Sequence, residues 1–460
     1  MASSAIGRPA VEVLRTALPD GVVVTDPARV ERYRHDWTRL PDAGHPLAVV
    51  RAERADHVQT AVGWAAEHRV PVVTRGAGTS LAGGATAVEG CLVVSTERMI
   101  AIEVDPVTRT AVVEPGALNS AVKDAAAQQG LWYPPDPGSF RISSIGGNVA
   151  TNAGGICCVK YGVTTDYVLG LDVVLADGRL ITLGGRTIKD VAGLPLLKLF
   201  VGSEGTLGVI TRVVLRLVPP PTPAATLVAY FSSARDAARA VVAMGAHVRP
   251  SMLELLDAAT INAVEDFRPM GLDRSAGALL IGQSDAPGAA RSEELAVMAA
   301  SCEQAGARSL FTTDDPVEGD LFLEARRAAG PAVDARGAIM AEDICVPVDQ
   351  LPIAMERIAA IAESSRTEIP VFAHAGDGNL HPAIVHRPGD EESRRRALEA
   401  FAAILQVALD CDGTITGEHG VGRTKRSALP VQLGPDVMDV GRRVRRALDP
   451  LGILNPGILW

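Results

Sequence analysis

Short apolar runs alternate with longer amphipathic stretches in the first part of the chain. Brief runs rich in valine and leucine predict β-strands, and apolar residues at helical spacing predict helices between them. The predicted strands lie at 46–50, 71–74, 91–95 and 106–115, and the predicted helices lie at 56–68 and 117–129. The pattern indicates a domain in which strands and helices are mixed along the chain.

A change in pattern divides the chain near residue 220. Two predicted strands, 168–175 and 180–183, flank Asp177-Gly178, a dipeptide that favours a tight hairpin turn. A strand predicted at 209–218 is followed by the proline-rich segment 219–223, which cannot continue a sheet. Alanine-rich helices separated by strands then continue to about residue 425, and a further helix is predicted from Pro435. The proline segment therefore predicts a domain boundary.

Charge and cysteine usage exclude several classes of protein. The net charge is −10 and the arginines at 442–446 are best placed on a solvated helix face, which argues against nucleic acid binding. The six cysteines form no Cys-x-x-Cys pair, so no iron–sulfur cluster is encoded. The chain has no apolar signal core and no apolar run of about eighteen residues. We expect a protein of the reducing cytoplasm, at most peripherally associated with the inner membrane face.

Glycine-rich loops are concentrated before the proline segment. The loop at 75–84 follows a predicted strand, but Leu81 occupies the third glycine position of the dinucleotide pattern and no helix is predicted after it. Its backbone amides could still cradle a pyrophosphate. Further glycine loops lie at 144–155, 160–162 and 201–211. Together they predict one long polar ligand that crosses many backbone segments, and FAD has that length.

Histidines and a carboxylate predict a metal site after the boundary. In the segment His374-Ala-Gly-Asp-Gly-Asn-Leu-His381, a turn at Asp377-Gly378 would place His374 directly opposite His381. Glu418 could supply a third ligand, and His419 would stand beside the metal as a base. Two histidines and a glutamate with an open position form a catalytic arrangement, most often with zinc; manganese and iron are alternatives. A His-x₆-His pair also occurs in proteins whose two histidines have no common role.

The order of these motifs resembles one flavoprotein family. The motifs are Arg75–Gly84, Tyr133-Pro-Pro-Asp-Pro137, Ala-Thr-Asn-Ala-Gly-Gly at 150–155, Gly202-Ser-Glu-Gly-Thr-Leu-Gly208, His374–His381, Gly417-Glu-His-Gly420 and Leu454-Asn-Pro-Gly457. From about residue 40 to the C-terminus the chain is similar to the FAD-linked D-lactate, glycolate and D-2-hydroxyglutarate dehydrogenases, within the vanillyl-alcohol-oxidase-like superfamily.

The resemblance implies an α+β fold with a two-subdomain FAD-binding domain of the PCMH type. It places an N-terminal helical segment at 1–45, the FAD-binding domain at 46–220 and a cap domain with an antiparallel sheet and the metal site at 221–425. The C-terminal segment 426–460 would return to the FAD domain.

The resemblance also implies which residues bind FAD. The pyrophosphate would lie against Arg75, Gly76, Ala77, Gly78 and Thr79. The flavin and its ribityl chain would lie against Pro137, Gly138, Ser139, Gly146, Asn148, Thr151, Ala153 and Gly154. Glu204, Gly205 and Ile210 would hold the adenine side, and Asn455 would approach the isoalloxazine ring. Some relatives attach FAD through a histidine of the first loop. This chain has no histidine between His68 and His247, so the FAD should be non-covalent.

His374, His381 and Glu418 correspond to the family's metal ligands, and His419 corresponds to its base. Arg326 corresponds to an arginine that binds the substrate carboxylate, although its neighbour Arg327 is an alternative. Two positions depart from the D-2-hydroxyglutarate enzymes: Ala341 stands where they carry lysine, and Ala383 where they carry asparagine. The missing polar groups favour a short acid such as D-lactate or glycolate.

The resemblance implies metal-assisted oxidation of a short D-2-hydroxy acid to the 2-oxo acid, with hydride transfer to FAD. D-2-hydroxyglutarate is the alternative substrate. Two other classes stay open, a metal-dependent hydrolase and a flavoprotein that binds FAD without turnover. The electron acceptor could be oxygen, a quinone, a cytochrome, an electron-transfer flavoprotein or a separate iron–sulfur subunit, and a homodimer is compatible with the sequence.

Overall fold

The computed structural model describes residues 8–460, and the chain forms two compact units. The first unit contains the chain up to Ala153, Val163–Pro220 and Glu418–Trp460, and the second contains Gly154–Gly162 and Pro221–Gly417. The chain thus passes from the first unit to the second inside the proline segment. It returns to the first unit at the residue that follows Gly417.

Helices occur in both units. In the described residues the α-helices are α1 (Arg8–Ala17), α2 (Pro27–Val30), α3 (Ala55–His68), α4 (Asn119–Ala127), α5 (Ile145–Thr151), α6 (Cys158–Tyr161), α7 (Leu197–Phe200), α8 (Ala234–Gly245), α9 (Ala258–Phe267), α10 (Ala289–Gln304), α11 (Pro316–Asp334), α12 (Leu351–Ser365), α13 (Glu391–Asp410) and α14 (Leu429–Leu448). The helix predicted from Pro435 belongs to α14, which is kinked at Gly434. Within the described residues, no helix is long and apolar enough to cross a membrane.

The first unit contains a four-stranded sheet. Its strands are β1 (Val23–Val24), β2 (Ala48–Arg51), β3 (Val72–Arg75) and β4 (Leu92–Ser95), in the spatial order β1-β2-β4-β3. The last three are parallel and their residues are largely buried, as expected for strands covered on both faces. Helix α3 packs its apolar residues into the same core. The strand–helix alternation predicted for 46–95 is therefore confirmed.

The first unit also contains a five-stranded antiparallel sheet. Its strands are β5 (Ile102–Asp105), β6 (Thr110–Val113), β7 (Val168–Val174), β8 (Leu180–Gly184) and β9 (Val209–Arg216), in the order β5-β6-β9-β7-β8. The hairpin predicted at Asp177-Gly178 joins β7 to β8, and Gly178 has a φ of +82° that suits glycine. The strand predicted at 106–115 is shorter than expected: β6 occupies Thr110–Val113, and residues 106–109 form the turn between β5 and β6.

The second unit is built on an eight-stranded antiparallel sheet. The strands are β10 (Ala225–Phe231), β11 (Met252–Asp257), β12 (Ala278–Ser284), β13 (Ser309–Thr313), β14 (Ala338–Ala341), β15 (Ile344–Cys345), β16 (Val371–His374) and β17 (Asn379–His386). Their order is β13-β10-β12-β11-β16-β17-β14, with β15 also paired to β17. Helices α9 and α11 pack their alanine and branched side chains against this sheet. The antiparallel sheet with its helices agrees with the predicted α+β class.

The C-terminal segment completes the first unit. The amide of Val72 donates to the carbonyl of Ile453 at 2.8 Å, and the amide of Asn455 donates to the carbonyl of Val72 at 2.7 Å. Leu454 is fully buried between these two bonds. The end of the chain therefore extends the edge of the parallel sheet at β3, immediately before the first glycine loop.

Candidate active site

The hairpin that carries the two histidines has a different register from the predicted one. His374, the last residue of β16, lies opposite Asn379, and His381 lies opposite Phe372. The prediction that His374 directly opposes His381 is therefore wrong. The two histidines are diagonal neighbours on one face of the strand pair, since positions two apart along a strand share a face.

The longer loop between the strands explains this register. Residues 375–378 all belong to the loop, whereas the prediction allowed only Asp377 and Gly378. A two-residue turn would have paired Gly376 with Asn379, but the amide of Gly376 instead donates to the carbonyl of Leu253 in β11 at 3.2 Å. The amide of Gly376, which a tight turn would have used, is thus bonded to a strand that is distant in sequence.

The two imidazoles nevertheless lie close together. The ring centroids of His374 and His381 are 5.0 Å apart and the rings are nearly perpendicular. One ring nitrogen from each lies within 4.8 Å of the other, and both side chains are buried. Diagonal placement on one face therefore still brings together two nitrogen atoms that could bind one metal ion.

A buried carboxylate orients His374. Glu254 lies on β11 opposite His374 on β16, and its side chain is fully buried. Its Oε1 is 2.8 Å from Nδ1 of His374. A carboxylate on one ring nitrogen of a histidine fixes the ring and leaves the other nitrogen for a metal, an arrangement common in metalloenzymes.

The same carboxylate also accepts a hydrogen bond from Arg326. Nε of Arg326, on α11, donates to Oε2 of Glu254. The guanidinium lies 4.8 Å from the ring centroid of Phe372, and the side chain is buried. Within the described residues, its terminal nitrogens donate no hydrogen bond. Arg327 is exposed and paired with Glu324 on the surface of the helix, so only Arg326 joins the histidine cluster.

Asp343 organises the other side of the cluster. Its carboxylate is fully buried, with Oδ1 3.6 Å from Nδ1 of His381 and 2.7 Å from Nδ2 of Asn379. Its Oδ2 accepts from the hydroxyl of Thr416 at 2.8 Å and from the amide of Gly417 at 2.9 Å. Asp343 therefore lies beside His381 and holds Asn379 and the segment that leads directly into Glu418.

Glu418 and His419 follow that anchored segment. Residues 417–419 form a bend, and Nε2 of His419 lies 3.8 Å from Oε1 of Glu418. The segment is therefore not extended, and the two side chains lie near each other. Both side chains are mostly buried, and they begin the last segment of the first unit.

Glu204, expected on the adenine side of FAD, makes other contacts. Its Oε1 accepts from the amide of Val421 at 2.9 Å and its Oε2 accepts from the amide of Gly422 at 2.7 Å. Burial raises the pKa of this carboxyl to about 7, although the two amides and Lys425 oppose the shift. Both carboxylate oxygens are thus engaged within the first unit.

The first glycine loop offers open backbone amides. The amides of Gly76, Gly78 and Thr79 donate no backbone hydrogen bond to another described residue, whereas Ala77 donates to Oγ of Ser144 at 3.3 Å. A Cβ on Gly76 would lie 2.2 Å from that Oγ, so only glycine allows the loop to pack there.

Polar groups beside the loop are consistent with a bound anion. The hydroxyl of Thr74 is buried and has no hydrogen-bond partner among the described residues. Arg75 donates to the carbonyl of His35 at 2.8 Å, its guanidinium packs against Gly78 of the loop, and burial lowers its pKa. Open amides beside an unsatisfied hydroxyl fit a pyrophosphate, so the loop fits the phosphate end of FAD.

The residues expected along the flavin lie in a turn and a short helix of the first unit. The carbonyl of Ser139, in the turn 137–143, accepts a hydrogen bond from the amide of Ser143 at 2.8 Å. Asn148, in α5, accepts from Asn119 and donates to Oγ of Ser143, so its side chain holds the turn to the helix. The remaining residues of this expected set in the first unit are Pro137, Gly138, Gly146, Thr151 and Ala153, while Gly154 begins the second unit.

The third glycine loop belongs to the second unit. Lys160 and Tyr161 both donate to the buried carboxylate of Asp285, and Arg249 donates to the carbonyl of Lys160. This loop is therefore held by side chains of the second unit.

Asn455 connects two of the glycine loops. Its Nδ2 donates to the carbonyl of Gly84 at 2.8 Å and to the carbonyl of Glu204 at 2.7 Å. Gly205 has a φ of +73° and packs against Asn455 and Thr74. Ile210 is buried in the core beside β9. Asn455 thus holds together two loops that are predicted to bind FAD.

Sequence reasoning did not identify Glu254 and gave Asp343 no site role. Glu254 stands alone in the apolar strand Met252-Leu-Glu-Leu-Leu256, and a lone acid in a buried strand requires a partner. That signal was present in the sequence. Asp343 carried no comparable signal, because its partners come from β17 and from the segment 416–417, both distant in sequence.

Comparisons with known proteins agree with this arrangement. The family described as "FAD binding domain" matches residues 46–184, and the family described as "FAD linked oxidases, C-terminal domain" matches residues 220–459. Among solved structures, the chain is similar to p-cresol methylhydroxylase with substrate bound, with a TM-score of 0.82, 17% identity and coverage of 98% of this chain and 96% of that one. That likeness shows the fold.

Three curated relatives cover most of the chain. A glycolate oxidase subunit GlcD of Bacillus subtilis is 40% identical over 90% of this chain and 89% of its own length. A D-lactate dehydrogenase of Archaeoglobus fulgidus is 35% identical over 93% and 95%, respectively. A D-2-hydroxyglutarate dehydrogenase of Xanthomonas citri pv. viticola is 32% identical over 98% and 97%.

These matches span both units, from the glycine loops to the histidine hairpin. They confirm the family resemblance that was inferred from the sequence motifs alone. The chain therefore belongs to the FAD-linked oxidases, in the group that contains the glycolate, D-lactate and D-2-hydroxyglutarate enzymes, and it is an FAD-linked oxidoreductase.

Proposed function

We propose that the protein oxidises a short D-2-hydroxy acid, D-lactate or glycolate, to the corresponding 2-oxo acid with divalent-metal assistance. The observation that carries this proposal is a buried series of hydrogen bonds in which Glu254 is bonded to both Arg326 and His374. It keeps the guanidinium of Arg326, which could bind the substrate carboxylate, close to the oriented imidazole of His374. When bound, FAD accepts the hydride from C2 of the substrate, and the metal, zinc first with manganese or iron as alternatives, lowers the pKa of the substrate hydroxyl.

His374, His381 and Glu418 would hold the metal. The donor set fits such an ion because the two imidazoles share one face and each has a carboxylate near its Nδ1, Glu254 for His374 and Asp343 for His381. Glu418 is one residue beyond Gly417, which Asp343 anchors. A buried hydrogen bond thus orients His374, and another holds the residue that precedes Glu418.

Arg326 would bind the substrate carboxylate. Glu254 and the ring of Phe372 hold its guanidinium rigidly while its terminal nitrogens stay available. A planar guanidinium edge binds a carboxylate through two parallel hydrogen bonds. Arg326 would therefore orient a 2-hydroxy acid through the carboxylate that all such acids share.

His419 would take the proton of the substrate hydroxyl. An imidazole has an intrinsic pKa near neutrality, which suits a general base at physiological pH. His419 lies beside Glu418, so a base next to a metal ligand is consistent with removal of a proton from a metal-bound hydroxyl.

Two alanines support a short substrate. Ala341 in β14 pairs directly with Ala383 in β17, and Ala383 shares a strand face with His381 two residues earlier. Ala383 packs in an apolar cluster with α11 and Phe372. A second carboxylate placed there would meet methyl groups instead of hydrogen-bond donors, which is costly for a charge.

D-2-hydroxyglutarate remains the alternative substrate, since a relative of that name is 32% identical over nearly the whole chain. The electron acceptor is also a proposal. The Bacillus relative is named a subunit, so we infer that separate partner chains could reoxidise the flavin here; oxygen, a quinone, a cytochrome and an electron-transfer flavoprotein are the competing acceptors.

Anaerobic titration of the purified yellow protein tests the function. D-lactate, glycolate, D-2-hydroxyglutarate and the L-enantiomers are added separately, and flavin absorbance is followed. We expect a short D-acid to bleach the flavin with at least about tenfold higher kcat/KM than the diacid, a difference of about 1.4 kcal/mol. Acid precipitation should release all FAD. A flavin that no 2-hydroxy acid bleaches would reject the activity, and equal efficiency with the diacid would reject the substrate assignment.

A further inference from the structure

Glu204 adopts an unusual conformation in the segment Gly202-Ser-Glu-Gly-Thr-Leu-Gly208. Its φ is +50°, in the left-handed region, and only 7% of the residue is exposed. A non-glycine residue takes this conformation seldom and at some cost in free energy. The backbone at Glu204 is therefore held by its surroundings, and the side chain is directed into the first unit.

The contacts of its carboxylate are both backbone amides of one loop. Oε1 accepts from Val421 at 2.9 Å and Oε2 accepts from Gly422 at 2.7 Å. These residues directly follow the segment Gly417-Glu-His-Gly420. Hydrogen bonds from amides to a charged acceptor are roughly twice as strong as those between neutral groups.

The loop is packed so closely that side chains have no room. A Cβ on Gly420, at a φ of +86°, would lie 3.0 Å from the carboxyl carbon of Glu204. A Cβ on Gly422 would lie 1.9 Å from the carbonyl oxygen of Ala82. The loop after His419 is thus fitted between Glu204 and the first glycine loop.

The backbone of Glu204 is tied to a third segment. Its carbonyl accepts from Nδ2 of Asn455, which also donates to Gly84. Burial alone would favour the neutral carboxyl, and Lys425 in the same loop opposes this by favouring the charged form. One residue therefore links the glycine loops, the C-terminal segment and the loop after His419.

We propose that Glu204 is a positioning residue whose carboxylate fixes residues 418–422 and thereby sets the position of His419 for proton removal. This inference deepens the proposed function and rests on it. It uses the carboxylate, whose two oxygens are bound to amides of the loop, and the place of Glu204 on the adenine side of FAD stays a prediction.

The variant Glu204→Gln tests the role. The amide side chain has nearly the same shape, but its nitrogen is a donor and would face another donor at Val421 or Gly422. The matched control is Glu265→Gln in the second unit, since Glu265 is also buried and one oxygen accepts the amides of Met270 and Leu272 at 2.8 Å. That oxygen remains an acceptor in glutamine.

Two readouts are taken at pH 8 with FAD loaded. Hydrogen exchange of peptides covering 417–428 should be at least about tenfold faster in Glu204→Gln and unchanged in Glu265→Gln. The rate of flavin reduction at saturating substrate should fall at least about tenfold, with KM and FAD content within about twofold of the wild type. Both expected changes correspond to loss of about one charge-assisted hydrogen bond.

The outcomes separate the alternatives. Unchanged exchange at 417–428 would overturn the positioning role, and so would loss of FAD with a normal reduction rate after reloading. If no 2-hydroxy acid reduces the wild type, the proposed function fails, while the exchange result still decides the contact. If Glu204→Gln does not fold, Gly420→Ala disturbs the same contact from the other side and should show the same faster exchange and slower reduction.

Discussion

The two units build their candidate sites from different materials. In the first unit the loop at 76–79 offers backbone amides. Glycines such as Gly76 let neighbouring segments pack so closely that a Cβ atom would clash. In the second unit the cluster around His374 and His381 consists of side chains, and each imidazole has a buried carboxylate beside it.

This difference determines how each site can fail. A site made of amides is insensitive to most side-chain changes, but an added methyl group at a packed glycine displaces the backbone itself. A site made of imidazoles loses its chemistry with one truncation while the strands that carry it remain. We therefore expect substitutions to separate FAD binding from metal binding and turnover.

The largest effect is expected for His381→Ala and His374→Ala. Each removes one proposed metal ligand, so the purified variants should contain little divalent metal and lose at least about 10³-fold in turnover, because metal charge stabilisation is worth several kcal/mol. FAD content should not change. Metal analysis and flavin absorbance check this, with His386→Ala in the same strand as the control. Full metal occupancy in both variants would contradict the ligand assignment.

His419→Ala should remove the base while metal and FAD stay bound. Loss of a general base costs about 10²–10⁴-fold, which stopped-flow measurement of flavin reduction would detect. Metal content distinguishes this variant from His374→Ala and His381→Ala, because those two are expected to lose metal as well as turnover. Reduction at the wild-type rate would place the base on another residue.

The pH dependence of stability should reveal Glu204. Burial raises the pKa of this carboxyl to about 7 from 4.5, so between these values the folded state binds more protons than the unfolded state. Stability from this group is therefore fully present below about pH 4.5 and is lost as the pH rises through about 7, by at most about 3 kcal/mol. Urea midpoints of wild type and Glu204→Gln, measured from pH 5 to 8, should converge or cross accordingly. Parallel midpoints would contradict the shift.

Glu254→Gln should weaken the metal site without removing a ligand. Loss of a carboxylate partner of a ligating histidine typically costs about 10–100-fold in metal affinity. Competition with a chelator measures this affinity, and Glu265→Gln supplies a buried glutamate changed in the same way elsewhere in the unit. An unchanged affinity would mean that the bond from Glu254 to His374 does not orient a ligand.

Gly76→Ala should act on the other unit. Its Cβ would lie 2.2 Å from Oγ of Ser144, so the loop must shift and FAD affinity should fall about tenfold, or about 1.4 kcal/mol. Gly63→Ala, in α3 with nothing within 4 Å of the added atom, is the control. Fluorescence titration of the apoprotein with FAD decides it, and metal content should be the same in both variants.

Local patterns predicted local structure well. The strands of 46–95, helix α3 and the Asp177-Gly178 hairpin follow from periodicity and turn chemistry, because neighbours in sequence make those contacts. The register at His374 failed for the opposite reason: Leu253, far away in sequence, binds the amide of Gly376. The partnership of Glu254 with Arg326 is likewise invisible before the sheet brings β11 and α11 together.

The bonds between Val72 and the segment 453–455 also bear on how the chain is made. Val72 is synthesised long before its partners Ile453 and Asn455. Most of the second unit is one continuous stretch of chain, whereas the first consists of three. We expect the second unit to fold while it is being synthesised, and the edge of the parallel sheet at β3 to close only after residues 453–455 have been made.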